Sequence, residues 1–372
     1  MRILHVFNIM NCGGAENMIM NIYRNIDREK IQFDFLVHSN KPAFFDEEIR
    51  NLGGRIFYVP RWNILNFFKY KKELHNFFKK HKDEFSWIHG HMGSSSCIYL
   101  SVAKKYGIKT IAHSHSANFS YRSLKNAVFL LLNRITRKVS ENFFACSYDA
   151  GLCRYGKKIV NGKNFKIIKN AIDLDKYIPD TKEKERITNE FNLENSFVIG
   201  HIGRFTYAKN HAFLIEIFKE ILKLKDNAKL LLVGEGELRE ELESLVKSEN
   251  LTDKVILTGV RNDVTSLLQV MDCFVFPSHF EGLGIAAIEA QTMGIPCFIN
   301  ESLPKDLDIN SNVFRLALSE SPERWAKTIL NKCHNKISHE TAFASIKKSG
   351  YDIKESVKTL ELFYESISKK EI

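Results

Sequence analysis

At 372 residues, with 44% hydrophobic and 26% charged side chains, the chain is long for one core, comfortable for two domains, and too apolar for a disordered or low-complexity class. Its seven cysteines (Cys12, Cys97, Cys146, Cys153, Cys273, Cys297, Cys333) are scattered, odd in number and without a Cys-x-x-Cys pair, which argues for a reducing compartment and against a disulfide framework or zinc site. The net charge of +10 is uneven: residues 1–175 hold 28 basic against 14 acidic residues, a balance of +14, whereas residues 176–372 hold 26 against 30, a balance of −4. The basic excess of the first half suits an anionic membrane surface, a lipid diphosphate or, in principle, nucleic acid.

In chain order, Arg2 to Asn8 enters a strand pattern at once, without the charged and then apolar regions of a signal peptide. The apolar run Ala127 to Leu132 is far short of the ~20 residues that span a bilayer. The expected location is therefore cytoplasmic. A loop, Ile9 to Gly14, leads into a helical pattern, Ala15 to Ile26. Within it, Gly13-Gly14 would let the backbone approach a phosphate or an acceptor; the blander alternative is a tight turn, with Glu16 favouring the helix N-terminus. Further strands are expected at Phe33 to His38, Arg55 to Val59, Trp87 to His91, Thr110 to His115, Asn142 to Ser147 and Lys166 to Lys169. Ile111-Ala112-His113-Ser114-His115-Ser116 closes the fourth of these, and His115, His113 and His91 compete for any role facing a ligand. Trp62 to Lys80 and Tyr121 to Lys138 interleave aromatic or apolar residues with Lys and Arg. Such helices lie on membrane surfaces, or pack on a sheet with a basic outer face.

The second half opens as the first does: a strand (Phe197 to Gly203), a loop (Arg204 to Asn210) and a helix (His211 to Leu222). Strands follow at Lys229 to Gly234, Lys254 to Gly259, Cys273 to Pro277 and Pro296 to Asn300, with helical patterns such as Glu237 to Glu249 and Asp263 to Met271 between them. This alternation predicts parallel sheets in an α/β protein, with a boundary near Asn170 to Glu185 and a last helix in Ser349 to Lys369. Arg204 and Lys209 fall at a strand's carboxyl edge, where two fixed cations can hold a diphosphate and stabilise it as a leaving group. After the strand ending at Pro277-Ser278, a glycine-flanked loop carries Glu281, and the helix expected from about Leu283 carries Glu289 roughly 9 Å further along at ~1.5 Å per residue. The free N–H groups at Gly282, Leu283, Gly284 and Ile285 would form an anion site beside Glu281. Taken alone, Glu281 reads as a helix cap and Glu289 as an exposed helical position. Two Asp-x-Asp sequences, Asp173-Leu174-Asp175 and Asp306-Leu307-Asp308, have the spacing of metal-holding pairs, though a turn or cap role suffices for the first.

The strand, Pro-Ser turn and two glutamates with seven residues between them resemble the signature of retaining glycosyltransferases of family 4, and Gly203-Arg204-x4-Lys209 resembles that family's Gly-Arg-x4-Lys element. The resemblance is closest to members that build capsular or exopolysaccharide units on a lipid carrier, and covers residues 1 to about 310. It implies the GT-B fold: two Rossmann-like domains whose parallel sheets face a central cleft, here 1–175 and 176–350, with residues 351–372 as a helix crossing back to the first domain. It further implies transfer of a sugar, with retention, from a nucleotide sugar, UDP-linked by preference, to a hydroxyl of a glycan or lipid-diphosphate-linked acceptor. Arg204, Lys209 and the helix end at Gly282 to Ile285 would hold the diphosphate, Glu281 the sugar hydroxyls, Glu289 the ribose, and backbone groups around Val260 and Arg261 the base. Gly13 and Gly14 resemble the family's Gly-Gly-x-Glu element, and His115 matches the histidine that faces the transferred sugar. No metal or other cofactor is expected. Peripheral contact with an anionic membrane is expected, and nucleic acid is not, since no recognised motif for it is present. A sugar-nucleotide epimerase of the same fold and a non-catalytic sugar-nucleotide-binding subunit are the alternatives.

Overall fold

Apolar runs such as Leu230-Leu231-Leu232 and Phe274-Val275-Phe276 have no polar face to show water, so they become central strands covered on both sides. The computed structural model describes residues 1–11, 13–93, 95–115 and 124–368, with backbone alone for 124–130, 367 and 368. Cys12, Ser116, residues 121–123 and Lys369, which enter the sequence readings above, lie outside the described residues. The chain divides into two units, Met1–Ala171 with Ile353–Ile372, and Ile172–Asp352.

The first unit runs β1 (Arg2–Phe7), α1 (Gly14–Asn25), β2 (Gln32–Val37), α2 (Asp46–Asn51), β3 (Ile56–Tyr58), α3 (Phe67–His81), β4 (Trp87–Gly90), α4 (Ser96–Lys105), β5 (Lys109–Ser114), α5 (Leu124–Val139), β6 (Asn142–Ala145), α6 (Tyr148–Tyr155), α7 (Lys157–Val160) and β7 (Phe165–Ile167). All pairings are parallel, in the order β3-β2-β1-β4-β5-β6-β7. Alternation along the strands gives the sheet two apolar faces: Leu4, Val6 and Ile88 pack with Tyr70, Leu74 and Phe78 of α3, while Ile3, Phe7 and Trp87 pack on the other face with α1.

The second unit contains α8 (Thr181–Glu190), β8 (Phe197–Ile202), α9 (His211–Leu222), β9 (Ala228–Val233), α10 (Arg239–Ser248), β10 (Val255–Leu257), α11 (Val264–Gln269), β11 (Cys273–Phe276), α12 (Ile285–Thr292), β12 (Cys297–Asn300), β13 (Val313–Leu316), α13 (Pro322–Lys332) and α14 (His339–Lys348). Its sheet is also parallel, in the order β10-β9-β8-β11-β12-β13. In each sheet the strand order reverses beside the first strand of the unit, at β1/β4 and at β8/β11, and such switch points open a crevice at the strands' carboxyl ends.

Two sequence expectations are corrected. The last helix, α15 (Ile353–Ser368), starts four residues later than Ser349, because Ser349 and Gly350 (φ +75°) terminate α14 and Asp352 bridges to Ile172. From there Ile353, Val357, Leu360, Phe363 and Tyr364 are buried in the core of the first unit. The helix after Glu281 begins at Ile285, two residues beyond Leu283, because Gly284 takes the left-handed conformation (φ +87°) and caps it.

Candidate functional site

In the second unit, the loops leaving β8 and β11 meet at the switch point. Lys209 closes a short 3-10 turn, Tyr207–Lys209, and Asn210 at φ 57° turns the chain into α9. The two loops are bonded together: the His279 amide donates to Ala208 O (2.8 Å), Asn210 Nδ2 donates to Pro277 O (3.1 Å), and the His279 ring stacks on Tyr207 at 4.5 Å. Between them Lys209 Nζ donates to Glu281 Oε1 at 2.6 Å, with the two side chains only 19% and 11% exposed. The same ammonium lies 4.8 Å from the centre of the Phe276 ring. A cation and a carboxylate are thus held at the mouth of the crevice and oriented before any ligand arrives. Arg204 differs. Its side chain is 71% exposed and, among the described residues, is paired with Glu237 alone, at 3.7 Å, which leaves the guanidinium open to a ligand.

Glu289, in α12, is not the exposed position that its helix register alone suggests. Tyr177, from the segment that precedes α8, donates its hydroxyl to Glu289 Oε1 at 2.7 Å. Burial raises the Glu289 carboxyl to about 7, while the Tyr177 hydrogen bond pulls the other way. Burial also keeps the Tyr177 hydroxyl protonated, hence a donor. Gly282 is exposed, Leu283 and Gly284 are buried, and Ile285 opens the helix. Val260 is 58% exposed beside Gly259 (φ +73°), whereas the Arg261 guanidinium is occupied by Asp263 and Glu190 and lies over the Phe191 ring. What Arg261 can offer a ligand is therefore its backbone. Of the Asp-x-Asp sequences, Asp308 is bonded to Arg315 at 2.7 Å and Asp173 lies 3.6 Å from Lys176.

In the first unit, the Gly13-Gly14 turn caps α1. The Glu16 carboxylate folds back to fill the space a side chain at Gly13 would occupy, while a Cβ at Gly14 would meet nothing within 4 Å. Burial raises the Glu16 carboxyl above the usual range. His115 ends a ladder that sequence spacing only partly revealed. His5 on β1, His89 on β4 with His91 just beyond its end, and His113 on β5 with His115 just beyond its end share one sheet face, their rings stacked or tilted at 4.1 to 5.3 Å. His5 Nδ1 bonds His91 Nε2 (2.9 Å), and His91 Nδ1 bonds His115 Nε2 (2.8 Å). In parallel, Tyr364 of α15 bonds His89 Nδ1 (2.8 Å), and His89 Nε2 bonds His113 Nδ1 (3.1 Å). Burial holds all five imidazoles well below the ordinary histidine range, so the ladder is neutral. Two His-x-His sequences at the ends of neighbouring strands were the available signal. Tyr177 gave none.

Two family models match the chain: Glycosyltransferase Family 4 over residues 12–176 and Glycosyl transferases group 1 over residues 182–347. EpsF of Bacillus subtilis (strain 168), to which a glycosyltransferase role is ascribed, is 32% identical over 377 residues, covering 100% of this chain and 98% of its own. The UDP-Gal:alpha-D-GlcNAc-diphosphoundecaprenol alpha-1,3-galactosyltransferase of Escherichia coli is 25% identical over 80% of this chain and 79% of its own. The crystal structure of Anabaena HepE in complex with UDP-glucose has the same fold, with a TM-score of 0.79 at 17% identity over 98% of this chain and 100% of that one. With a relative of this identity along its whole length and a family model on each half, the chain belongs to glycosyltransferase family 4 and is a glycosyltransferase of the GT-B fold.

Proposed function

We propose that the protein moves a glycosyl unit, with retention of configuration, from a UDP-sugar to a hydroxyl of a lipid-diphosphate-linked glycan in surface-polysaccharide assembly, working at the cytoplasmic face of the membrane without a metal ion. The observation that carries this reading is the Lys209–Glu281 pair at the switch point, followed along α12 by the Tyr177-bonded Glu289. Support for the donor and acceptor classes comes from the UDP-galactose and diphosphoundecaprenol in the name of the E. coli relative, and from the UDP-glucose held by HepE.

In this reading Lys209, Arg204 and the N–H groups from Gly282 to Ile285 receive the negative charge that develops on the diphosphate as the bond from C1 to phosphate oxygen breaks. The acceptor oxygen attacks C1 from the same face, and its proton passes to the departing phosphate oxygen, so no protein nucleophile is required. Glu281 accepts hydrogen bonds from sugar hydroxyls and Glu289 from the ribose, while backbone groups at Val260 and Arg261 meet the base. Gly13 and Gly14 are assigned to donor binding, and His115, with Glu281, to the transferred sugar. The positive field on the diphosphate is supplied by side chains and a helix end, and of the two aspartate pairs Asp308 is bonded to Arg315 and Asp173 is ion-paired with Lys176 at 3.6 Å, which supports a metal-free site.

The test is nucleoside-diphosphate release from UDP-, GDP- and ADP-sugars, with and without a lipid-diphosphate glycan, in the presence of EDTA. Acceptor-stimulated release from a UDP-sugar, at least ~100-fold lower in Glu281→Ala, is expected. Release from a GDP- or ADP-sugar alone would overturn the donor, loss of turnover with EDTA the metal-free site, and an inverted anomeric product the stereochemistry.

A further inference from the structure

The segment between β3 and α3 sends its large apolar residues in two directions. Trp62, Phe67 and Tyr70 turn toward the core of the first unit. Ile64, Leu65 and Phe68 do not: they are 74%, 98% and 85% exposed. Single exposed apolar residues are ordinary on any protein, but three on one projection form a patch that calls for a partner.

The projection is built rather than loose. The Asn63 amide donates to Asn66 Oδ1 (2.7 Å), the Asn66 amide donates to Asn63 Oδ1 (2.9 Å), and Asn66 Nδ2 donates to Arg61 O (2.8 Å). These reciprocal bonds close a tight turn with Ile64 and Leu65 at its tip and start α3, placing Phe68 in the first turn beside them. Arg61, Lys69 and Lys72 are exposed around the tip, and residues 61–72 contain no Asp or Glu.

We propose that this tip is a membrane wedge, in which Ile64, Leu65 and Phe68 enter the headgroup region of an anionic bilayer while Arg61, Lys69 and Lys72 pair with lipid phosphates. Apolar insertion and electrostatic attraction act on the same few residues, the combination that makes peripheral binding stable. A second copy is the less fitting occupant, because the half that carries the tip bears +14 and would meet itself with like charge. The inference deepens the lipid-linked-acceptor reading above and rests on it for its purpose, but binding is measured without turnover.

The full-length protein is sedimented with vesicles of pure phosphatidylcholine and with vesicles containing phosphatidylglycerol. Wild type is expected on the anionic vesicles, weakened by salt, and the triple variant Ile64→Ser/Leu65→Ser/Phe68→Ser about tenfold or more weaker, with little change in melting temperature because all three side chains are exposed and Phe68 gives up an edge contact with the Phe67 ring at 5.4 Å. Lys69→Glu/Lys72→Glu is expected to lose the preference for anionic lipid, at roughly fivefold per charge removed. Equal vesicle binding by wild type and the triple variant, or none by wild type, overturns the wedge. So does a wild-type dimer that the triple variant converts to monomer with vesicle binding intact. Turnover on a detergent-soluble acceptor should be the same in wild type and the triple variant, falling in the variant only with the acceptor embedded in vesicles. Failure of both proteins on both acceptors would instead count against the proposed activity.

Discussion

Lys209 and Glu281 each hold a charge in a place where an unpaired one is costly, so each depends on the other. Glu281→Gln leaves Lys209 with the face of Phe276 and should cost about 1–3 kcal/mol of stability in the second unit, as should Lys209→Met. The double variant should lose less than the sum of the two, and independent losses in a urea-unfolding cycle would show that the pair is no brace. Glu289 poses the opposite problem, a carboxyl whose neutral form burial favours. Its folded value of about 7 lies above its ordinary 4.5, so the folded state keeps a proton that the unfolded chain releases between those limits. Its contribution is therefore fully present below pH 4.5 and is lost as pH rises through 7, by at most about 3 kcal/mol at 1.36 kcal/mol per unit. On the proposed assignment ligand affinity runs the other way, since the ionised carboxylate accepts from ribose hydroxyls while Tyr177 occupies one oxygen. The KM for the donor should rise as pH falls through about 7, and Glu289→Gln should flatten both profiles. A wild-type KM independent of pH from 6 to 8 would remove Glu289 from the ribose.

At the scale of elements, strands and loops were legible in the chain, and partnerships were not. The two β-loop-α openings, the parallel alternation and the shared face of His89 and His91, or of His113 and His115, follow from periods of two and 3.6. The pairings that make the site do not, because Lys209 and Glu281 are 72 positions apart, and Tyr177 and Glu289 are 112 apart, joined only once β8 lies beside β11 and the chain before α8 packs on α12. The last part of the second unit is a further instance. After Asn300, β13 has no alternation of burial to announce it, whereas α13 is marked by its Ser321 cap, Pro322 in the first turn and an apolar face at Trp325, Ala326 and Ile329, and α14 by its Ser338 cap. The histidine ladder likewise needs β4 seated between β1 and β5, and that seating has a chemical consequence. His5 Nε2 is buried without a partner among the described residues, and an orphaned acceptor is cheaper than an orphaned N–H, so His5 carries its proton on Nδ1 and donates to His91. His91 then donates from Nδ1 to His115 Nε2, which leaves the His115 proton on Nδ1. Nitrogen-15 NMR of histidine-labelled protein should find Nδ1–H at His115. His91→Phe, which removes the donor but keeps a ring on the sheet face, should release that tautomer; an Nε2–H tautomer at His115 in wild type would reverse the direction of the whole chain.

At the scale of the molecule, one unit is continuous and the other is not. The second unit begins and ends side by side, where Ile172 donates to Tyr351 O and bridges to Asp352, and everything beyond Asp352 belongs to the first unit. The first unit therefore lacks a wall until the end of the chain has been made. That wall is α15, which buries Ile353, Val357, Leu360, Phe363 and Tyr364, bonds His89 through the Tyr364 hydroxyl, and accepts the Asp27 amide on Glu361 at 2.9 Å. At about 1.5–3 kcal/mol for each large buried side chain, the helix contributes roughly 8–15 kcal/mol of apolar burial, comparable with the whole net stability of a domain. Truncation after Asp352 should accordingly unfold the first unit and leave the second intact, because among the described residues none of the second unit's core comes from α15. Limited proteolysis followed by mass spectrometry should recover a resistant fragment close to 172–352 from the truncated protein and a far slower cleavage of residues 1–171 in the full chain. Tyr364→Phe, which removes only the hydroxyl facing His89, should cost about 1 kcal/mol and leave both units folded. Equal protease resistance of residues 1–171 with and without α15 would mean that the first sheet closes its core unaided, and that the return of the chain serves something other than stability.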